Sequence, residues 1–332
     1  MVTASAGASG RRVRVGIVLG AGGILGAAWM VGVLGALQRR LDRPIGEVEV
    51  IVGTSAGSIL AAALREGVTV AELVDHQRGG LTTLPSMHEI DRATAPVPPR
   101  LGLGSPQLLT LAALAPHRVR PRVAAFALVP PGRGKLHVLA EFVDTLAARR
   151  PGGRSRPPGW PTKQTWVVAV DYQTGQRVVF GQAGSPPAAL SEAVVASCSI
   201  PGWYEPKTIG GKRYVDGGVY SVASVDLVAT SRLDLVYVLV PLGGHERGGD
   251  PGLLAQGEWV LRRVVSGWVD IEAAKVRAGG ARVVVVTPGS EDLDAMGRNL
   301  MDPSRRRRVL ETALRTAPAR LAALDGTSAR ER

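Results

Sequence analysis

Residues 48–64 read VEVIVGTSAGSILAAAL, which is an apolar β-rich run, a Gly-x-Ser-x-Gly turn and a helix-forming run. A strand that turns sharply into a helix strains the residue at its apex, so the residues two before and two after it must be small. Gly53 and Gly57 meet that need. The pattern predicts a nucleophile elbow with the Ser55 hydroxyl at a helix N-terminus, where N–H groups favour developing negative charge. A glycine-lined turn with a helix-capping serine is the alternative.

A similar pattern precedes the elbow. From Val15 to Leu37 no residue is charged, and on hydropathy alone such a run is long enough to span a bilayer, so a membrane-anchored segment stays open. Glycines divide the run, however. They favour a strand at 13–19, a tight loop at 20–23 and a buried helix at 24–39. Two strand–turn–helix units predict a parallel sheet flanked by helices.

The glycine loop at 20–23 does not fit a dinucleotide fingerprint. That fingerprint needs glycines at i, i+2 and i+5, whereas counting from Gly20 gives Gly22 and then Leu25. What remains is a loop whose backbone can approach an anionic group at a helix N-terminus. One strand before the serine elbow, its N–H groups are suited to receive an oxyanion.

Composition narrows the class of protein. The chain has 332 residues, 45% of them hydrophobic, and a formal net charge of +12, which suits a globular protein attracted to an anionic surface. An arginine-rich genomic composition would give the same charge. The run Arg305–Arg308 lacks the interleaved aromatic residues of a single-strand binder, so we expect no nucleic-acid partner. Cys198 is the only cysteine, which excludes an intramolecular disulfide and fits a small core residue.

The order of the chain predicts one α/β domain over residues 13–332, after a disordered tail at 1–12. Prolines crowd residues 77–160 and exclude long regular elements there. We expect this insertion to act as a lid or cap with helical islands near 105–115 and 135–149; an ordinary irregular subdomain is the alternative. Residues 221–332 are expected to add C-terminal strands, at 235–240 and 282–287, and helices, at 253–278 and 303–323.

Ser55 needs a base, because a serine hydroxyl is a poor nucleophile until its proton is removed. Asp216 ends a predicted strand and precedes two glycines, Gly217 and Gly218, that let the backbone approach closely. His245 follows a later strand and completes the chain order Ser…Asp…His of α/β-hydrolases. A carboxylate serves better as a base if burial raises its pKa. The sequence therefore leaves a Ser–Asp dyad and a Ser–Asp–His triad open.

Three blocks in this order resemble the patatin-like phospholipase family. They are Gly20-Ala21-Gly22-Gly23-Ile24-Leu25-Gly26, Gly53-Thr54-Ser55-Ala56-Gly57, and Ser199-Ile200-Pro201-Gly202 leading to Asp216-Gly217-Gly218. The resemblance covers roughly residues 13–220. It implies a three-layer α/β/α sandwich with a mainly parallel central sheet, and a Ser–Asp dyad in place of a triad.

Carried over by position, the resemblance implies lipid acyl-ester hydrolysis with no metal or organic cofactor. Ser55 would be the nucleophile, Asp216 the base, and the N–H groups of Gly22, Gly23 and Ile24 the oxyanion hole. The supporting glycines would be Gly20, Gly26, Gly53, Gly57, Gly217 and Gly218. The expected partner is a phospholipid or another acyl-ester lipid, met in the cytoplasm at the inner face of the membrane. A thioesterase, an acyltransferase or a non-catalytic lipid-binding module on the same fold are the alternatives.

Overall fold

The computed structural model describes residues 12–80, 99–148, 160–249 and 252–330. It is a mixed α/β structure with a central, mostly parallel sheet and flanking helices, which confirms the predicted fold class. The described residues group into two compact units. The first contains residues 12–51, 68–80 and 223–330, and the second contains residues 52–67, 99–148 and 160–222.

The first unit contains three parallel strands in the order β1, β7, β8. They are β1 (Val15–Leu19), β7 (Leu235–Leu239) and β8 (Arg282–Val286). Val15 pairs with Leu235, which pairs in turn with Arg282. The strands are almost wholly apolar and mostly β-branched, as expected of parallel strands covered on both faces.

Five helices belong to the first unit. They are α1 (Gly23–Gln38), α3 (Val70–Gln77), α8 (Leu253–Ala278), α9 (Ser290–Met296) and α10 (Arg306–Arg330). The uncharged α1 packs against α3 and α10 and is buried over most of its length. The segment 15–37 therefore forms a strand, a loop and a helix of the core. Among the described residues, no helix is both long enough and apolar enough to cross a membrane.

The second unit has antiparallel strand pairs. Strand β3 (Gln164–Asp171) pairs with β4 (Arg177–Phe180) and with β6 (Lys212–Asp216), and β6 also pairs with β5 (Lys207–Ile209). Strand β2 (Val50–Thr54) contains the point at which the chain passes from the first unit to the second. The register sets Ala169 of β3 opposite Asp216 of β6.

The helices of the second unit are α2 (Ala56–Arg65), α4 (Pro106–Leu114), α5 (Pro121–Phe126), α6 (His137–Ala148) and α7 (Leu190–Cys198). Helix α7 packs against β3, β6 and α2. In the predicted insertion, α4 and α5 share an apolar cluster with the strands, in which Leu108 and Val123 pack with Val170, Tyr172 and Val215. This part of the insertion is anchored to the unit's core.

Some of the predicted segments lie outside the described residues. They are residues 1–11 of the predicted tail, and residues 81–98 and 149–159 of the predicted insertion. The role of the insertion as a lid and the division of the chain into domains stay predictions.

Candidate active site

Ser55 lies between the last residue of β2 and the first residue of α2, with φ 53° and ψ −124°. A residue other than glycine in such a conformation costs about 1–3 kcal/mol, so the surrounding structure must hold it. Its carbonyl accepts two hydrogen bonds from Ser58, one from the N–H and one from the hydroxyl, each 2.7 Å long. Its own N–H donates to the Ser197 side-chain oxygen over 2.9 Å. The strained turn is therefore held on both sides of its apex.

Gly53 is required by the tightness of this turn. A Cβ atom on Gly53 would lie 2.5 Å from the Ser58 Cα and 2.6 Å from the Gly57 carbonyl oxygen, both of which are backbone atoms. Gly57 is buried in the first turn of α2. The strand–turn–helix geometry predicted for this stretch is thus present, with Ser55 at its apex.

Asp216 is the last residue of β6, and its carboxylate is buried. It accepts a hydrogen bond from the Gly218 N–H over 2.7 Å, and the Ser55 side chain lies close enough to interact with it. Burial raises the pKa of Asp216 to about 6, and the interactions with Ser55 and with the Gly218 N–H oppose that rise. Because a general base works best with a pKa near the working pH, burial tunes this carboxyl for taking a proton at neutral pH.

The C-terminal end of α7 contacts both residues of the pair. The Ser197 hydroxyl, besides accepting the Ser55 N–H, donates to the Val168 carbonyl of β3 over 2.6 Å. The Ser199 carbonyl accepts the Asp216 N–H over 2.9 Å. Sequence reasoning missed Ser197. The signal available in the sequence was its position just before the Ser-Ile-Pro-Gly block, in the helix that leads to that block and on to Asp216.

Gly217 allows β6 to end close to β3. A Cβ atom there would lie 2.4 Å from the Val168 carbonyl oxygen and 3.0 Å from the Thr54 side chain. The Val168 carbonyl oxygen therefore contacts both the Ser197 hydroxyl and the backbone at Gly217. Any residue larger than glycine at 217 would displace the chain that carries Asp216.

The glycine loop lies in the first unit, between β1 and α1. Three consecutive N–H groups there donate to no acceptor among the described residues: those of Gly22, Gly23 and Ile24. The next two are occupied, since the Leu25 N–H donates to the Leu300 carbonyl and the Gly26 N–H to the Gly22 carbonyl, each over 2.9 Å. The Gly20 N–H donates to the last residue of β7. The loop therefore presents three available donors where the helix dipole is positive.

The two candidate bases belong to different units. Asp216 lies in the second unit, as does Ser55, whose side chain lowers the pKa of the Asp216 carboxyl, and His245 lies in the first unit. There the His245 carbonyl accepts a hydrogen bond from the Trp259 ring N–H over 3.0 Å.

Cys198 is buried beside the pair, with its sulfur 3.7 Å from the Ser58 hydroxyl oxygen. Burial, reinforced by the charge of Asp216, raises the pKa of the thiol. Since the thiolate is the nucleophilic form, Cys198 is an inert neighbour of the pair rather than a reactive group. Within the described residues, no group of three or more His, Cys, Asp or Glu side chains is arranged to hold a metal ion.

Comparison with known proteins adds the following. A family model described as patatin-like phospholipase matches residues 17–229. The crystal structure of VipD from Legionella pneumophila is similar, with a TM-score of 0.34 and 12% identity over 94% of this chain and 66% of that one. The crystal structure of the type III effector protein ExoU has a TM-score of 0.34 and 15% identity over 94% of this chain. The chain thus spans about two thirds of the first protein and 53% of the second.

Proposed function

The chain belongs to the patatin-like phospholipase family, whose model matches residues 17–229, and we propose that it hydrolyses lipid acyl esters with a Ser55–Asp216 dyad. One observation carries the proposal. A buried carboxylate with a pKa of about 6 lies beside the side chain of a serine at a strained strand-to-helix apex. Nucleophile and base within hydrogen-bonding reach are the requirement for covalent catalysis by serine.

In the first step, Asp216 takes the hydroxyl proton of Ser55 as the serine oxygen attacks the ester carbonyl carbon. A tetrahedral intermediate forms, with negative charge on the former carbonyl oxygen. When it collapses, the bond to the alcohol breaks, and Asp216 returns the proton to the departing alkoxide. The acyl group is then bound to Ser55 as an ester.

In the second step, a water molecule gives a proton to Asp216 and attacks the acyl-serine carbonyl. Collapse of the second intermediate breaks the bond to Ser55, which recovers the proton. The products of the whole cycle are an alcohol and a carboxylic acid. Asp216 thus acts first as a base and then as an acid in each half of the cycle, as a group with a pKa near 6 is suited to do.

The negative charge that develops on the carbonyl oxygen needs donors. We assign them to the N–H groups of Gly22, Gly23 and Ile24, on the motif order of the family and on the absence of any other acceptor for these groups within the described residues. Loss of one such donor typically lowers kcat about 10²–10³-fold.

The family suggests a lipid substrate, and we propose a phospholipid or related acyl ester at the inner face of a membrane. The net charge of +12 favours an anionic surface. The insertion at 77–160 would cover the bound acyl chain as a lid. A thioesterase or acyltransferase would use the same dyad with a different leaving group or acceptor, and a lipid-binding module would use neither residue chemically.

Labelling with a fluorophosphonate tests the proposal, because this reagent reacts only with an activated serine. We expect the full-length protein to be labelled at Ser55, and Ser55→Ala to abolish labelling. Products formed from a panel of glycerophospholipids, lysophospholipids and neutral glycerides then identify the bond that is cleaved. The Asp216→Asn variant should lose turnover on every substrate that the unaltered chain cleaves.

Two results would contradict the proposal. Folded protein that is not labelled at all would favour the lipid-binding module. Near-normal activity in Asp216→Asn, together with loss of activity in His245→Ala, would favour the triad.

A further inference from the structure

Helix α8 exposes an apolar face along most of its length. Its large exposed side chains are 40% to 84% accessible, and they include Leu253, Leu254, Val260, Leu261, Val264 and Ile271. Trp268 lies on the same face. Most of the exposed large apolar side chains in the described part of the chain are therefore on this one helix.

The exposed face is distinct from the face that α8 uses for packing. Val265, Val269, Ala273 and Val276 are buried, and α8 packs against β8. The polar groups of the packed face are satisfied as well, since the Glu272 carboxylate accepts the Val225 N–H over 2.9 Å. The helix has a complete core face and a second apolar face. Burying one such large apolar side chain is worth about 1.5–3 kcal/mol.

The second face repeats at heptad spacing. Leu254, Leu261 and Trp268 are seven residues apart, and Gly257, Val264 and Ile271 form a parallel series between them. These are the a and d positions of a helix that packs against another helix. A Cβ atom added at Gly257 or at Gly267 would meet no atom of the described residues within 4 Å. Each glycine leaves a hollow in the face.

The charges beside the face favour a protein partner over a lipid surface. Arg263, Asp270 and Arg277 follow one another at seven-residue intervals along one border, so their signs alternate, and the exposed Lys275 ends the series of Leu254, Leu261 and Trp268. A helix that lies on an anionic bilayer carries Lys and Arg on its polar face. A border that carries both positive and negative charges suits a protein partner whose surface also carries both signs.

A second copy of the same helix fits the face when it runs antiparallel. The a and d layers then pair Leu254 with Ile271, Leu261 with Val264, and Trp268 with Gly257 of the second copy. Trp268, the largest side chain in this seam of a and d positions, lies opposite Gly257, the one glycine of the seam. In the flanking row, Val260 meets Gly267 in the same manner. This pairing of large with small residues follows from one register and needs no adjustment.

The available area is close to what a stable dimer needs. The accessible parts of the seven large side chains amount to roughly 700 Å² per copy, against about 800 Å² per partner in a standard interface. We propose that the chain forms an antiparallel homodimer in which α8 packs against α8 of a second copy.

Sedimentation of the full-length protein across a concentration series tests the dimer. We expect a dimer in the unaltered chain and at least about tenfold weaker association in Leu261→Glu, whose side chain lies at the centre of the seam. Leu114→Glu, at a leucine of the second unit that is more exposed than Leu261 (80% against 59%), is the control and should stay dimeric. Circular dichroism should show unchanged helix content in both variants. An unaltered chain that remains monomeric at every concentration overturns the proposal.

Cysteine cross-linking tests the direction of the helices. In the antiparallel register, Leu254 of one copy lies about 25 Å from Leu254 of the other, which is about 17 residues at 1.5 Å each. We expect Leu254→Cys and Ile271→Cys to form no dimers with a short bismaleimide when each is alone, and to cross-link when the two are mixed. The unaltered chain is the control, because its native Cys198 is buried.

The remaining outcomes overturn the proposal. Cross-linking of Leu254→Cys with itself would mean that the helices run parallel. A monomeric chain that binds phosphatidylglycerol vesicles through α8, with binding lost in Leu261→Glu and kept in Leu114→Glu, would make the face a lipid-binding surface.

Discussion

The backbone N–H of Ser55 donates a hydrogen bond of 2.9 Å to the side-chain oxygen of Ser197, which lies 142 residues further along the chain. Ser197 in turn donates to the Val168 carbonyl over 2.6 Å. Because β3, which contains Val168, is paired with β6, which ends in Asp216, one buried hydroxyl connects Ser55 to the strand beside Asp216. From this connection we predict that Ser197 positions Ser55 for catalysis.

Replacing Ser197 by alanine should leave the Ser55 N–H without its acceptor. We expect kcat to fall about 10- to 100-fold with little change in KM, and the free energy of unfolding to fall by about 1–3 kcal/mol, the cost of an unsatisfied buried group. Steady-state kinetics and chemical denaturation measure the two effects. Ser191→Ala, which removes another buried hydroxyl from α7, is the control and should retain kcat. If Ser197→Ala lost stability but kept kcat, the role of Ser197 would be structural alone.

The pH dependence of activity should follow the ionisation of Asp216. Burial raises the pKa of Asp216 to about 6, and a base must be ionised to accept a proton. We therefore expect kcat/KM to rise roughly tenfold per pH unit below the midpoint and to level off above it. A pH profile on a water-soluble ester, measured with the unaltered chain and with His245→Ala, gives the midpoint. Both should show it near pH 6; a midpoint lost in His245→Ala would point to histidine as the base.

The same carboxyl should lower stability at neutral pH. Its pKa in the folded chain lies above the ordinary value of 3.8, so the contribution of Asp216 to stability is full below about pH 4 and is lost as the pH rises through about 6. We expect Asp216→Asn to be more stable than the unaltered chain at pH 8, by up to about 3 kcal/mol for a pKa raised from 3.8 to about 6. The two proteins should be similar at about pH 4. Denaturant unfolding at both pH values measures the difference, and a variant that is less stable at pH 8 contradicts the pKa.

The elbow was predictable from the sequence because its determinants are local. Gly53, Ser55 and Gly57 stand within five residues, between an apolar run and a helix-forming run. Asp216 was predictable because it ends a short strand and two glycines follow it. Ser197 was not, since its bond to Ser55 spans 142 residues and only its position just before the Ser-Ile-Pro-Gly block distinguishes it from other small residues in a helix.

The prolines of the insertion show a second limit to what the sequence could predict. The helical islands near 105–115 and 135–149 correspond to α4 and α6, but the pattern did not predict α5. Pro121 is the first residue of α5, and proline is favoured at this first position, where its missing N–H has no partner to lose. A proline that was expected to exclude regular structure is therefore the residue at which a helix begins. Likewise, the apolar pattern of 253–278 predicted a helix packed on the sheet, and only the structure distinguishes its buried face from its exposed one.

Cys198 should be unreactive in the folded protein despite its position beside the candidate pair. Burial raises the pKa of its thiol, and the charge of Asp216 raises it further, so little thiolate forms at pH 8. We expect Ellman's reagent to react with the folded chain at least about 100-fold more slowly than with free cysteine, and at the ordinary rate in denaturant. Absorbance at the reagent's product band follows both reactions. Fast modification of the folded chain would mean that the end of α7, which contains Cys198, opens readily.

Gly217 should tolerate no side chain, because the space that a Cβ would fill is occupied by backbone. The nearest atom would be the Val168 carbonyl oxygen at 2.4 Å, and neither strand can retreat without breaking the pairing of Ala169 with Asp216. We expect Gly217→Ala to lose about 1–3 kcal/mol of unfolding free energy, as overpacked sites do. Activity should fall further than stability alone explains, since the displaced chain carries Asp216, the proposed base. Thermal unfolding and kcat, the latter measured well below the midpoint temperature, separate the two effects. A variant with normal kcat would show that β6 has more freedom beside β3 than its contacts with Val168 imply.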